Sequence, residues 1–248
     1  MLRAYSEGHL FGETYGDGPV RVVWLHGWAR RGQDFSAAAR ELAHAGLSSV
    51  ALDLPGFGAS PLPLVAGGAR SYAELVVPAL REMSERPLVL VGHSLGGRIA
   101  PVVAANHPEV VEALVLCGAP LVSRVPAASP WAYRALRWLH AHSLIGEERM
   151  EAARQRFGSS DYRNATGTLR EVLVAMVNES YEDELMRVVA PVHLLWGARD
   201  IVVPLEVAQR AMALLEGPHS LRVLDDIGHL LPTEAPHELV RTVREAVT

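Results

Sequence analysis

Ser94 lies in a Gly-x-Ser-x-Gly pattern within the stretch LVGHSLGGRIA at residues 90–100. An apolar run ends just before this pattern, and an alanine-rich segment follows it. A strand, this pattern and a helix form the context of a nucleophile elbow, in which glycines allow a sharp turn that exposes the serine. The pattern therefore predicts a nucleophilic Ser94, and the alternative is a serine that only caps the helix.

A serine hydroxyl needs a base that takes its proton and an acid that orients the base. Asp200, in LLWGARDIVVP, and His229, in DDIGHLLPTEAP, each follow a strand-like run downstream of Ser94. Asp225 and Asp226 lie too close to His229 in the sequence to reach it easily, and we interpret them as turn residues. The order serine, acid, histidine therefore predicts a catalytic triad of Ser94, Asp200 and His229.

The negative charge that develops in acyl transfer needs two backbone N–H groups, which form an oxyanion hole. We expect one from Leu95, which follows the nucleophile, and the other from Trp28 in LHGWA, where Gly27 permits close approach. His26 and His93 are interpreted as residues that support these loops. Both predicted donors belong to turns directly after strand-like runs.

Short apolar runs alternate with longer segments of helical periodicity along most of the chain. This alternation predicts βαβ units and a mostly parallel central sheet with helices on both faces, an α/β fold. The predicted strands span 20–25, 48–54, 87–92, 111–117, 192–197 and 219–225. Asp53, at the end of the second, is expected to organise the DLPGFG turn.

The alternation stops between about 119 and 189, where three amphipathic segments resemble helices. They are SPWAYRALRWLHAHS, GEERMEAARQRFG and ATGTLREVLVAMVNES, and Ser129 and Thr166 are candidate caps for the first and last. We therefore predict a core at 1–120 and 188–248 and a helical lid inserted at 121–187. The lid covers the site in this interpretation.

Composition excludes several functions. The net charge is −5, which argues against nucleic-acid binding, and the absence of lysine excludes a Schiff-base lysine and a P-loop lysine. The one cysteine, Cys117, permits no internal disulfide and no cysteine-rich metal site. No apolar run reaches the roughly 18 residues of a membrane span. We expect a cytoplasmic protein that needs neither metal nor organic cofactor and binds no membrane.

The blocks WLHGW, LDLPGFGAS, VGHSLGG, WGARDIVVP and IGHLLPTEAP resemble the signature blocks of the α/β-hydrolase superfamily, over essentially the whole chain except the lid. The first two blocks and the chain length most resemble the pimeloyl-acyl-carrier-protein methyl ester esterases and related small carboxylesterases. This resemblance implies a Ser-Asp-His triad and an ester substrate. It also implies lid arginines that hold an acyl carrier protein.

Residues 121–170 contain eight arginines and four acidic residues, a net charge of +4 on an acidic chain. Such a lid could steer an acidic carrier protein, and the alternative is solvated helix faces with local ion pairs.

The predicted function is cleavage of carboxylic esters through an acyl-enzyme, with a small-molecule or acyl-carrier-linked substrate such as the methyl ester of a pimeloyl carrier. Carbon–carbon bond hydrolases, lactonases, cofactor-free haloperoxidases and slow-turnover ligand receptors on the same fold are the alternatives.

Overall fold

The computed structural model describes residues 1–123, 131–157 and 160–247. Its described residues form an eight-stranded sheet in the order β1-β2-β4-β3-β5-β6-β7-β8. The strands are β1 (Leu2–Tyr5), β2 (Leu10–Tyr15), β3 (Val20–Leu25), β4 (Ser48–Asp53), β5 (Leu88–His93), β6 (Val111–Cys117), β7 (Val192–Gly197) and β8 (His219–Leu224).

The strands from β3 to β8 run parallel, whereas β1 and β2 pair antiparallel at one edge. All six predicted strands are present, within one residue of their predicted bounds. Every residue of β5 is buried, because helices cover both faces of the centre of the sheet. The predicted fold class, a mostly parallel α/β sheet, is confirmed.

The helices of the described residues lie between or after these strands. They are α1 (Ser36–His44), α2 (Ala69–Met83), α3 (Leu95–Asn106), α4 (Trp131–Ala141), α5 (Glu147–Phe157), α6 (Ser160–Asn164), α7 (Gly167–Asn178), α8 (Glu182–Arg187), α9 (Leu205–Met212), α10 (Leu231–Glu234) and α11 (Pro236–Ala246). One apolar core packs α2, α3, α8 and α9 on one face of the sheet, and a second packs α1 and α11 on the other. The centre of the sheet is thereby covered on both faces.

The helices α4 to α8 connect β6 to β7, where no strand is found among the described residues. The three predicted helices correspond to α4, α5 and α7, and the sequence pattern missed the shorter α6 and α8. Thr166 occupies the N-cap position of α7, but its side chain forms no capping hydrogen bond. Ser129 lies outside the described residues. Within the described ranges, the helices are too short or too polar to cross a bilayer.

Candidate active site

Ser94 is the residue between β5 and α3, at the carboxyl end of the central parallel strand. Its backbone has φ 49° and ψ −102°, a left-handed conformation that is strained for a residue with a side chain. Its N–H donates to the Cys117 carbonyl at 3.0 Å, which ties the turn to β6. Although Ser94 holds the N-cap position of α3, its side chain makes no capping hydrogen bond. The geometry thus disagrees with a serine that only caps the helix.

Two glycines allow this turn because any side chain would strike backbone. A Cβ on Gly92 would lie 2.6 Å from the Gly96 carbonyl oxygen. A Cβ on Gly96 would lie 2.0 Å from the Leu25 carbonyl oxygen at the end of β3. The Gly-x-Ser-x-Gly spacing therefore brings α3 directly against two neighbouring strands.

Asp200 and His229 form a hydrogen-bonded pair in the loops after β7 and β8. His229 Nδ1 lies 2.8 Å from Asp200 Oδ2, and the Asp200 side chain is 1% exposed. The other carboxylate oxygen, Oδ1, accepts the N–H groups of Val202 and Val203 at 2.8 Å each. Because Asp200 accepts at Nδ1–H, the lone pair of a neutral His229 lies on Nε2, where a general base needs it.

Gly118, directly after β6, provides the space for this pair. Its φ of +54° favours glycine, and a Cβ there would lie 3.0 Å from His229 Nδ1 and 3.2 Å from Asp200 Oδ2. The pair therefore lies over the end of the strand next to the one that carries Ser94. Among the described residues, Ser94 Oγ and His229 form no hydrogen bond. Such catalytic bonds are often long before substrate binds.

The two residues predicted to donate N–H groups to the oxyanion both line the cavity beside Ser94. Leu95 is the first residue of α3, and Trp28 lies in the loop after β3; both line one cavity with Ser94. The Gly96 N–H donates to the His26 carbonyl at 2.9 Å and joins these two segments. In the described part of the chain, neither the Leu95 nor the Trp28 N–H has a protein acceptor. The first N–H groups of a helix are free to bind an anion.

His26 and His93 are buried beneath the site. His26 Nε2 accepts the Leu54 N–H at 2.9 Å, so its Nδ1–H donates to the Gly27 carbonyl at 2.7 Å. Burial lowers the pKa of His26 to about 4, and burial together with the nearby His229 ring lowers the pKa of His93 to about 3. Both rings are therefore neutral at pH 7.

The His93 ring also contacts the base itself. Its Nε2 lies 2.8 Å from the His229 carbonyl oxygen, and the two rings are 4.9 Å apart at their centres. A neutral His93 therefore donates from Nε2 and holds the His229 backbone. The geometry agrees with the interpretation of His26 and His93 as supports.

Asp53, at the end of β4, holds the turn that follows it, in agreement with its predicted role. It accepts the N–H groups of Gly32 and Ala59 at 2.8 Å each, and its carbonyl accepts the Ser60 hydroxyl at 2.6 Å. These bonds fix the DLPGFG turn, whose Phe57 packs edge-on against the Trp28 ring with centres 5.1 Å apart. Asp53 therefore supports the loop that carries one predicted oxyanion donor.

A cavity of about 600 Å³ opens beside Ser94. Its walls come from the loops of the core and from α7, and most of them are apolar, such as Val122, Leu173, Met176 and Val177. No group of three or more histidine, cysteine or acidic side chains in the described ranges is arranged to hold a metal ion. Ser94 therefore lies at a cavity whose lining is apolar in part and also includes polar and charged residues.

Three charged residues, Arg98, Asp161 and Glu179, are among those that line this cavity, and the sequence pattern assigned none of them to the site. Arg98 lines the cavity with Ser94, four residues further along α3. Residues i and i+4 lie on the same face of a helix, so the spacing from Ser94 was the sequence feature that could have placed Arg98 near the site.

The sheet, the elbow and the acid–histidine pair define an α/β-hydrolase-type enzyme. The chain belongs to the alpha/beta hydrolase family, whose model matches residues 22–242. The resemblance drawn from the sequence blocks is confirmed.

Individual proteins are also similar to this chain in sequence or in structure. The pimeloyl-[acyl-carrier protein] methyl ester esterase of Chromobacterium violaceum is 34% identical over 225 residues, which cover 79% of this chain and 82% of the relative. An uncharacterised hydrolase of Bacillus subtilis is 30% identical over 211 residues, which cover 75% of each chain. The structure of an esterase from Exiguobacterium antarcticum is similar at TM-score 0.75 and 21% identity, covering 99% of this chain and 98% of that one.

Proposed function

We propose that this hydrolase is a serine carboxylic-ester hydrolase that works through an acyl-enzyme. The Asp200–His229 hydrogen bond, at the edge where the Ser94 elbow projects, is the observation that carries the proposal. His229 Nε2 takes the Ser94 proton as Oγ attacks the ester carbonyl, and the N–H groups of Leu95 and Trp28 stabilise the oxyanion. His229 then gives the proton to the leaving alcohol.

Water completes the cycle by the same steps. It loses a proton to His229, attacks the acyl-enzyme and releases the acid and free Ser94. Asp200 holds the imidazole in one tautomer throughout and stabilises the imidazolium that forms. No metal or organic cofactor enters these steps.

In this proposal the segment 121–187 is a lid and the rest of the chain is the catalytic core. The support is that Leu173, Met176 and Val177 of α7 line the same cavity as Ser94 and Leu95. An aliphatic acyl chain fits this apolar wall. The relative in Chromobacterium violaceum, a methyl ester esterase for a carrier-linked acyl group, supports a carrier-linked methyl ester as one substrate.

Hydrolysis of nitrophenyl esters of increasing acyl length, by wild type and Ser94→Ala, tests the proposal. We expect kcat to fall about 10⁶-fold in Ser94→Ala, because the nucleophile is lost. Ser71→Ala is the matched control, since Ser71 is an exposed serine of α2 that does not line this cavity. Its kcat should stay within threefold of wild type.

Ser94→Ala activity within tenfold of wild type would contradict the proposal. If folded wild type cleaves no ester of any length, carbon–carbon bond hydrolysis or a receptor role on the same fold becomes the better explanation. A β-diketone substrate separates these two.

A further inference from the structure

Arg98 is a charged residue in a largely apolar cavity, one helical turn from the candidate nucleophile. Its backbone N–H donates to the Ser94 carbonyl at 3.2 Å, and both residues line the cavity. Four residues of an α-helix span about 6 Å along its axis, so the Arg98 backbone lies one turn beyond Ser94 on α3. Its place matches the far part of a short acyl chain rather than the ester itself.

The guanidinium retains capacity to bind a ligand. Nη1 donates to the Met176 carbonyl, and the guanidinium carbon lies 5.9 Å from the centre of the Tyr181 ring. These partners are uncharged, and no carboxylate of the described residues lies within 4.0 Å of an Arg98 nitrogen. Because a guanidinium has five N–H donors, several remain for an incoming group.

Glu179, one of the two acidic residues that line the cavity, already has other partners. Glu179 accepts the Ala69 N–H at 2.7 Å and the Tyr181 hydroxyl at 2.9 Å, and it lies 3.9 Å from Arg70. The other acid of the cavity, Asp161, is exposed on α6. Within the described ranges, Arg98 therefore has no carboxylate at ion-pair distance, and the N-terminal end of α3 adds to the positive potential.

We propose that Arg98 binds a carboxylate at the far end of the acyl chain, so that the preferred substrates are monoesters of short dicarboxylic acids. The planar guanidinium matches a carboxylate with two parallel hydrogen bonds, and a mostly apolar cavity strengthens them. The ester carbonyl reacts at Ser94 while the carboxylate binds one helical turn away. This inference rests on the proposed ester hydrolysis and names the substrate class of the same site.

The test compares monomethyl and dimethyl esters of succinate, glutarate, adipate and pimelate at pH 7.5, where a free carboxylate is ionised. The far end is a carboxylate in one member of each pair and a neutral methyl ester in the other. Because the diester offers two equivalent ester groups, its kcat/KM is halved before the comparison. We expect wild type to prefer the monoester at least tenfold in kcat/KM at its best length. In Arg98→Gln this preference should fall below threefold, and Arg98→Lys should keep part of it, because it keeps the charge.

Arg187→Gln is the matched control. Arg187, on α8, also donates to a backbone carbonyl, that of Ala105, at 3.3 Å, but it lies outside the cavity. Its variant should keep the wild-type preference. If Arg98 only holds α7 through the Met176 carbonyl, Arg98→Gln lowers kcat/KM for both esters of a pair equally. An unchanged ratio, or a wild-type preference for the diester, overturns the proposal.

Calorimetric titration with glutarate separates this inference from the proposed function. Glutarate should bind wild type at least tenfold more tightly than Arg98→Gln, whether or not any ester is hydrolysed. If no ester reacts but this difference is present, the ester hydrolase proposal fails and the carboxylate site stands. If esters react but glutarate binds both proteins equally, the carboxylate site fails alone.

Discussion

At the scale of single residues, the Asp200 carboxylate uses both oxygens, and its role follows from that division. Oδ1 accepts two backbone N–H groups, whereas Oδ2 accepts the proton on His229 Nδ1. In Asp200→Asn, an amide oxygen that keeps the backbone bonds turns an N–H₂ group toward His229. That donor favours the imidazole tautomer with its lone pair on Nδ1, which leaves no base facing the serine.

We therefore expect Asp200→Asn to lower kcat for ester hydrolysis about 10⁴-fold. The measurement is steady-state hydrolysis of the best nitrophenyl ester, with the folded state verified by circular dichroism. Asp226→Asn is the control, because Asp226 is exposed and pairs with Arg199 at the surface. A loss smaller than tenfold in folded Asp200→Asn would mean that another group orients His229.

At the scale of elements, the contact between α3 and β3 determines where the nucleophile lies. Gly96 lies so close to the Leu25 carbonyl that a methyl group at this position must displace the helix from the strand. We expect Gly96→Ala to lower the free energy of unfolding by about 3 kcal/mol or more, at the upper end of the cost of overpacking. Activity should fall with it, since the Ser94 turn moves with α3.

Urea denaturation and ester hydrolysis measure the two effects. Gly146→Ala is the matched control, because a Cβ there meets no atom within 4 Å and the backbone φ is not positive. It should stay within about 0.5 kcal/mol of wild type. Equal stability of the two variants would show that α3 can shift without cost.

The same elements show what the sequence pattern could predict. The strands β3 to β7 are mostly buried and nearly continuous in apolar residues, so their runs were clear. At the edge, β1 was missed because LRAY has only four residues, and β2 was missed because LFGETY includes polar residues and Gly12. The helices α6 and α8 have five and six residues, too few for a periodic pattern.

For the site, order along the chain and position after a strand indicated Ser94, Asp200 and His229 as candidates, and the structure joins the last two by a hydrogen bond. The sequence could not indicate the neighbours that hold them, such as the bond from His93 to the His229 carbonyl. That contact joins residues 136 positions apart, and only the packed sheet brings them together. Arg98 was not predicted for a similar reason. It lines a cavity whose wall includes α7, a helix that is distant in the sequence.

At the scale of the whole molecule, the net charge of +4 on residues 121–170 has two explanations. Some of these arginines form ion pairs with neighbouring acidic residues. Arg154 pairs with Glu147, and Arg170 pairs with Glu151 at 3.0 Å. The side chains of Arg137 on α4 and Arg149 on α5 are exposed. If a carrier protein docks on this segment, these two arginines are candidates for the contact with its acidic surface.

We expect the double variant Arg137→Glu and Arg149→Glu to lower kcat/KM for the pimeloyl-carrier methyl ester about tenfold in low salt. Its kcat/KM for a free nitrophenyl ester should change less than twofold, since the active site is unaltered. Raising the salt to 0.5 M should remove most of the difference, because exposed charges are screened beyond a Debye length of about 4 Å. Arg3→Glu is the control, since Arg3 is exposed on β1, outside the segment. The opposite result is a carrier-linked reaction that is equally fast in the double variant and insensitive to salt. It would mean that the lid arginines only form local ion pairs. Any carrier would then be held through its acyl chain alone.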